Sequence, residues 1–208
     1  MEVRVHPISA ATGFPRKKER VARAFHKQLR RLARAVLPCL EAITVHRTDV
    51  TWWIDFGTLL GFVREGDIIL DDNDVDVCLL FAHEEDGPLV MEQLAQCLGD
   101  RFCVTHPYGH IYRVVERRDV IFGFFVDLYI NRLDEDAVLR GATGSNSDVP
   151  LSLILGGNGD ARTARRSWPR IGLHQKVVRI PIDHEGTLVW RYGEDWRLPK
   201  PGFKGRDG

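Results

Sequence analysis

Residues 53–77 read WIDFGTLLGFVREGDIILDDNDVDV, and the fold follows from how this stretch divides. Its start belongs to residues 51–56, TWWIDF, a run of β-branched and aromatic side chains that predicts a strand. Gly57 and Thr58 break that strand, and residues 59–64 predict a short helical turn. Residues 74–81, DVDVCLLF, alternate acid and apolar before turning wholly apolar. Strand geometry then puts Asp74 and Asp76 on one face and Val75 and Val77 on the other. Nine acids and no Lys or Arg fall between Glu65 and Asp86. Such a concentration of carboxylates repels itself unless cations neutralise it, so chemistry is sought here first.

Working outward, residues 86–98 predict a helix, with Asp86 as N-cap and Gly99 just past the end. Residues 102–105 and 111–115 predict strands joined through Pro107 and Gly109, and residues 120–130, VIFGFFVDLYI, a long apolar strand with one acid, Asp127. Upstream, Val21, Phe25, Leu29, Leu32 and Val36 recur at steps of three and four and predict a helix over 16–37, which Pro38 ends or kinks. Downstream, 134–170 is rich in Gly, Ser, Asn and Asp and reads as a long loop around an apolar piece at 151–155, expected to order on substrate binding. A strand at 177–180, stopped by Pro181, and a short helix at 186–192 follow. The expected organisation is an irregular segment at 1–15, one domain over 16–198 and a loose tail at 199–208. The expected class is α+β, a small mixed sheet flanked by helices with the acids at one edge.

Composition narrows the function. The 208 residues are 44% hydrophobic and 28% charged, which excludes wholesale disorder, a collagen-like repeat and a disulfide scaffold. Twenty-nine basic and twenty-nine acidic residues cancel, so net charge names no partner. No apolar run approaches the ~20 residues of a membrane span, and no signal core opens the chain. With four scattered cysteines too irregular for a disulfide framework, the default expectation is a reducing compartment, the cytoplasm. Nine Lys or Arg against one acid between Arg16 and Arg34 give the first helix a basic face. Solvated surface accounts for that face, and so does contact with phosphate or an anionic membrane surface. Without interleaved aromatics or a known motif, no nucleic-acid partner is expected.

If the strands of Asp74, Asp76 and Asp127 are neighbours, three carboxylates converge among apolar flanks, where each is costly to bury unpaired. Hard divalent cations take oxygen ligands and bridge carboxylates to phosphates, so Mg²⁺ is the expected cofactor, with Mn²⁺ as substitute. A glycine and a hydroxyl at a strand-to-helix break, Gly57 and Thr58, let donors approach phosphate oxygens. Arg64 supplies a forked guanidinium for the same charge. Together these are the parts phosphoryl chemistry needs. Taken singly they are ordinary: alternating acids on an exposed face, a loop at Asp71 and Asp72, a structural acid at Asp127.

The stretch 53–77 resembles the LicD and fukutin-related protein family of nucleotidyltransferase-fold enzymes. The resemblance rests on Gly57 to Gly61 (GTLLG), Arg64, the aspartates Asp72, Asp74 and Asp76, the later Val126-Asp127-Leu128, and the ending Tyr192-Gly193-Glu194-Asp195-Trp196-Arg197 followed by Pro199. It implies a transferase that takes a phosphorylated alcohol, such as phosphocholine or ribitol phosphate, from a CDP-linked donor. The acceptor would be a hydroxyl of a glycan or glycolipid, and CMP would leave. Carried over by position, it implies Asp74 and Asp76 as metal ligands, Asp127 as third acid (base or further ligand), Asp72 as support of the metal shell, and Gly57, Thr58 and Arg64 as donor-phosphate contacts. Transfer of NMP from an NTP is the alternative activity, and a non-catalytic binding or scaffold domain of the same fold is a third.

Three further groups each have two readings. Cys97, Cys103, His106 and His110 have a C-x5-C-x2-H-x3-H spacing that zinc or ordinary packing explains. Trp52, Trp53, Trp190 and Trp196 read as packing residues, any of which could instead stack on a cytosine or sugar. Arg162, Arg165, Arg166, Arg170 and Lys176 form a second basic cluster, with Gly156 to Gly159 as its candidate hinge.

Overall fold

The computed structural model describes residues 16–47, 49–70, 72–83, 85–118, 123–133, 138–141, 149–156, 170–173 and 176–199. The elements are α1 (Arg16–Thr44), β1 (Val50–Ile54), α2 (Phe56–Glu65), β2 (Asp74–Phe81), α3 (Asp86–Leu98), β3 (Phe102–Tyr108), β4 (Ile111–Glu116), β5 (Phe125–Leu133), β6 (Val138–Gly141), β7 (Val149–Pro150), α4 (Leu151–Leu155), β8 (Arg170–Leu173), β9 (Lys176–Arg179) and α5 (His184–Tyr192). The main sheet runs β1-β2-β5-β4-β3; β6 pairs with the far end of β5 and β7 with β6. Only β2 and β5 are parallel; β1 with β2, β5 with β4 and β4 with β3 are antiparallel. The fold class is α+β, as the sequence predicts. A separate hairpin pairs β8 with β9.

The parallel pair sets the register that matters. Asp76 lies opposite Asp127, and on the other side of β5 Asp127 lies opposite Arg113 of β4. Residues opposite one another share a face, so Asp74, Asp76, Phe125, Asp127 and Arg113 project from the same side. Along β2 that side continues into Cys78 and Leu80, which with Trp53 pack under α4 through Leu151, Ile154 and Leu155. The acids therefore sit beyond the edge of this apolar cover. The opposite face, with Val75, Val77, Leu79, Val114, Val126 and Leu128, joins the main core with α1 and α3.

Several expectations are corrected. Helix α1 passes through Pro38 and ends at Thr44. Proline removes one hydrogen bond, but Val36, Leu37 and Leu40 stay buried on either side of it, and that packing outweighs the missing bond. The stripe is buried from Leu29 onward, whereas Val21 and Phe25 are about half exposed. Helix α2 begins at Phe56 with Asp55 as N-cap, so Gly57 and Thr58 lie in its first turn and not in a separate break. Strand β5 starts at Phe125, after a turn at Gly123. The expected loop at 134–170 contains β6, β7 and α4 among its described residues, so it is not one structureless stretch. Glu85 takes the N-cap position of α3, and Asp86 is its first helical residue.

The cysteines are corrected as well. Cys39 of α1 and Cys97 of α3, 58 positions apart in sequence, form a disulfide. One bridge thus ties the two helices of the core face. Disulfides persist where conditions oxidise, so the cysteines give no ground for a reducing compartment. The bridge also consumes one ligand of the candidate zinc set, while His106 stacks on Tyr112 with centroids 4.1 Å apart. Among the described residues no helix is long and apolar enough to cross a membrane. The cluster of Arg162, Arg165 and Arg166, most of the candidate hinge, Asp71 and the tail beyond Pro199 lie outside the described residues, as do the side chains of Arg170 and Lys176.

Candidate active site

The site is built where α2 leaves β1. Asp55 follows the last residue of β1, and its carboxylate accepts the Phe56 N–H at 2.7 Å, starting the helix. The same carboxylate accepts from Trp53 Nε1 at 3.1 Å. Arg191 of α5 then donates to it twice, Nε to Oδ1 and Nη2 to Oδ2, both at 2.7 Å. Asp55 is completely buried and the Arg191 side chain nearly so. A forked, fully buried pair of this kind fixes the end of the chain to the turn that carries GTLLG. Phe56 is held beside it with φ 49°, in the left-handed region that a phenylalanine rarely adopts. Its ring lies 3.9 Å from the Arg191 guanidinium carbon and 5.0 Å from the Tyr129 ring. Such strain persists only where surroundings enforce it, and here they do.

Gly57 comes next, against the acids. A Cβ there would lie 3.1 Å from Asp72 Oδ2 and 3.8 Å from Asp76 Oδ2. The missing side chain is what lets the first turn of α2 approach those carboxylates, and the positive end of the helix favours their charge. Gly61, a turn further on, has the same role against the chain at Asp67 and Ile69, where a Cβ would meet backbone at 2.6 Å. Thr58 is fully buried, and its hydroxyl oxygen accepts the Asp76 backbone N–H at 2.8 Å. It therefore ties α2 to β2 beneath the acids. Arg64 lies at the other end of α2, about 10 Å along the axis from Gly57 at 1.5 Å per residue. It pairs with Glu65, its Nε donating at 3.1 Å. The structure thus joins Gly57, Asp72, Asp74, Asp76 and Asp127, and leaves Arg64 apart from them.

The acids differ in how their charge is met. Asp127 is 4% exposed and is gripped by Arg113, Nε to Oδ1 at 2.7 Å and Nη2 to Oδ2 at 2.8 Å. Arg113 in turn lies 3.6 Å over the Phe125 ring. Asp76 is 6% exposed, and among the described residues no cation pairs with it or with Asp74. Burial pushes the Asp76 carboxyl well above its usual range, reinforced by Asp74, Asp72, Asp127 and Asp55. Asp74 is pushed up to about 7, by burial first and then by its hydrogen bond to Asp72 and the charge of Asp72, with Arg113 opposing. Tyr129 and Tyr192, near Asp76, have hydroxyls pushed up by burial and then by that charge.

This is the electrostatic condition a hard divalent cation relieves: buried and half-buried oxygen donors with excess negative charge and a glycine clearing space beside them. Among the described residues, no three acid, histidine or cysteine side chains already stand in coordination geometry. By the chemistry of their oxygen donors, Asp72, Asp74 and Asp76 are the residues that would hold such a cation.

Three residues of this site escape a reading by motif. Asp55 ends an aromatic strand just before a helix, which is an N-cap signal, but its partner is 136 residues away. Arg113 interrupts an apolar alternation in IYRVVE, a charge that needs an opposite charge on a neighbouring strand. Arg191 immediately precedes the C-terminal signature and explains why that signature accompanies the turn at Gly57. Of the tryptophans, Trp52, Trp53 and Trp196 are buried, whereas Trp190 is 45% exposed.

Residues 49–131 match the family model described as LicD/FKTN/FKRP, nucleotidyltransferase domain, the family that the sequence resembles. The match spans β1 to β5 and includes every acid of the site. Among solved structures, the chain is similar to the lincosamide antibiotic adenylyltransferase LnuA with lincomycin bound, at 14% identity and TM-score 0.38, over 69% of this chain and 77% of that one. It is also similar to Cid1 in complex with the UTP analogue UMPNPP, at 19% identity and TM-score 0.28, over 56% of this chain and 29% of that one. No curated protein matches the chain.

Proposed function

We propose that the protein is a metal-dependent transferase that moves a phosphorylated alcohol from a CDP-linked donor to a glycan or glycolipid hydroxyl and releases CMP. The observation that carries this reading is the acid group of buried Asp76 with half-buried Asp72 and Asp74, with no side-chain cation of its own among the described residues, inside a segment that matches the LicD-type model. In the proposed reaction the acceptor oxygen forms a bond to the phosphorus that carries the alcohol. The bond from that phosphorus to the bridging oxygen breaks, and CMP leaves with the electron pair. A Mg²⁺ or Mn²⁺ ion held by Asp74 and Asp76, with Asp72 supporting, would neutralise the phosphate charge.

The chain's own groups do the rest. Asp127 takes the acceptor proton; Arg113 fixes the plane of its carboxylate and leaves each oxygen a second lone pair. Gly57 gives the donor phosphates access to the acids at the positive end of α2. Thr58 acts indirectly, by holding the Asp76 backbone in place. The Asp55–Arg191 pair keeps α2 and α5 locked around the site. The same reading includes peripheral contact of the basic residues of α1 with an anionic surface.

CMP release tests the reading. Purified protein with Mg²⁺ is offered CDP-choline, CDP-ribitol and CDP-glycerol, with and without a crude glycan acceptor, beside Asp76→Asn. Release that requires Mg²⁺ and falls at least about 100-fold in the variant is expected, since a positioned charge on phosphoryl groups is worth that much. Undiminished release in the variant, or pyrophosphate from an NTP in place of CMP, would overturn it.

A further inference from the structure

The opposite face of the sheet carries a second charged concavity. A cleft of about 490 Å³ is lined by Arg31 of α1, Asp100 and Arg101 before β3, and Glu116, Arg117 and Arg118 at the end of β4. Glu116 is three residues beyond Arg113 on β4, so its side chain leaves the sheet on the α1 side, away from the acids. It is 6% exposed. Its Oε1 accepts from Arg31 Nη2 at 3.0 Å and from Arg101 Nε at 2.7 Å, and Oε2 accepts from Gln28 at 3.4 Å. Arg117 Nε donates to the Asp100 carbonyl at 2.8 Å. Four guanidiniums thus meet around two carboxylates.

A buried carboxylate that orients two half-exposed arginines does more than stabilise α1 against β4. Each guanidinium has five donors, and these contacts use one on each of Arg31, Arg101 and Arg117. The lining keeps an excess of two positive charges in a concave wall, which focuses the field on an anion. Planar forks at several angles suit tetrahedral phosphate oxygens. The volume lies in the range of small-molecule sites, well above one phosphate ion. We propose that this cleft binds a phosphate ester, with Arg31, Arg101, Arg117 and Arg118 around the phosphate and the rest of the cleft taking the esterified alcohol. This does not rest on the transferase reading, because no residue of the acid site takes part.

The test is calorimetry on the full chain in EDTA, where the acid site repels anions. Glucose 6-phosphate, glucose and inorganic phosphate are titrated, and vesicles of phosphatidylcholine with and without phosphatidic acid are bound in parallel. The variant is Arg117→Gln/Arg118→Gln, which leaves the Glu116 contacts in place; Asp74→Asn/Asp76→Asn reports on the other face. One saturable phosphate-ester site is expected, absent for glucose, unchanged in the aspartate variant and weakened at least about tenfold in the arginine variant, with no change in thermal midpoint. Binding of glucose 6-phosphate identifies a soluble ester, and binding only to phosphatidic acid vesicles identifies a lipid headgroup as its source. Failure of both probes to bind, or equal binding by the arginine variant, would overturn the proposal.

Discussion

Asp55 and Asp76 are both buried acids, joined by a backbone hydrogen bond from Asp55 N–H to the Asp76 carbonyl, yet their side chains are met in opposite ways. Asp55 has a forked guanidinium, an indole N–H and a backbone N–H. Asp76 has other carboxylates for neighbours. The first arrangement is complete without help and holds β1, α2 and α5 together. The second carries mutual repulsion that favours a protonated carboxyl. Asp127 stands between them, paired with Arg113 yet opposite Asp76 in register. The difference separates an acid whose charge the fold meets from acids whose charge it leaves unmet.

The largest effect that would break this contrast is on stability. Asp55→Asn leaves the Arg191 charge buried without its counter-ion, and a loss of about 3–5 kcal/mol is expected in urea unfolding. Asp74→Asn in EDTA should do the reverse, leaving stability equal or raised, because it removes repulsion. Equal losses in the two variants would erase the distinction.

On the far face of the sheet, Cys39→Ser/Cys97→Ser should lower stability by about 2–4 kcal/mol while leaving the acid site's behaviour unchanged. Loss of Mg²⁺-dependent activity in that variant, with the fold intact, would show that the two faces are coupled.

A smaller and more selective change is Gly57→Ala. Its methyl group presses on Asp72 Oδ2, so turnover should fall about tenfold while unfolding changes by less than about 1 kcal/mol. Unaltered turnover would mean that the space beside the acids is not used.

The subtlest prediction concerns pH. Asp74 is pushed up to about 7 from an ordinary value of 3.8, so the folded metal-free protein binds a proton that the unfolded chain has released. The resulting stabilisation is complete below the unfolded value and is lost as pH rises through 7. Unfolding in EDTA between pH 4 and pH 8 should show this decline, flattened in Asp74→Asn and opposed by Mg²⁺ at the upper end.

Much of this was legible in the chain. Residues 74–81 and 86–98 carry local signals, a strand alternation and a helix with a glycine stop, and the structure keeps both ranges. The grouping of Asp74, Asp76 and Asp127 needed only that their strands be neighbours, and they are. What was not legible is non-local. Pro38 reads as a stop because its neighbours' burial is decided by α3 and the sheet. Thr58 reads as a phosphate contact because its bond to Asp76 crosses 18 residues. Cys97 reads as a candidate ligand until Cys39 is brought beside it. Arg64 keeps its place in the motif, but α2 carries it about 10 Å along the axis from Gly57, and its guanidinium pairs with Glu65.

The central claim is that Asp72, Asp74 and Asp76 await a divalent cation. Its most direct test is calorimetric titration of metal-free protein with Mg²⁺ and Mn²⁺, for wild type and Asp74→Asn/Asp76→Asn. The account predicts saturable binding to the wild type, with proton release near pH 7 as Asp74 gives up its proton, and none to the variant. Folded wild-type protein that binds neither ion, or a variant that binds both as well as wild type, would contradict it.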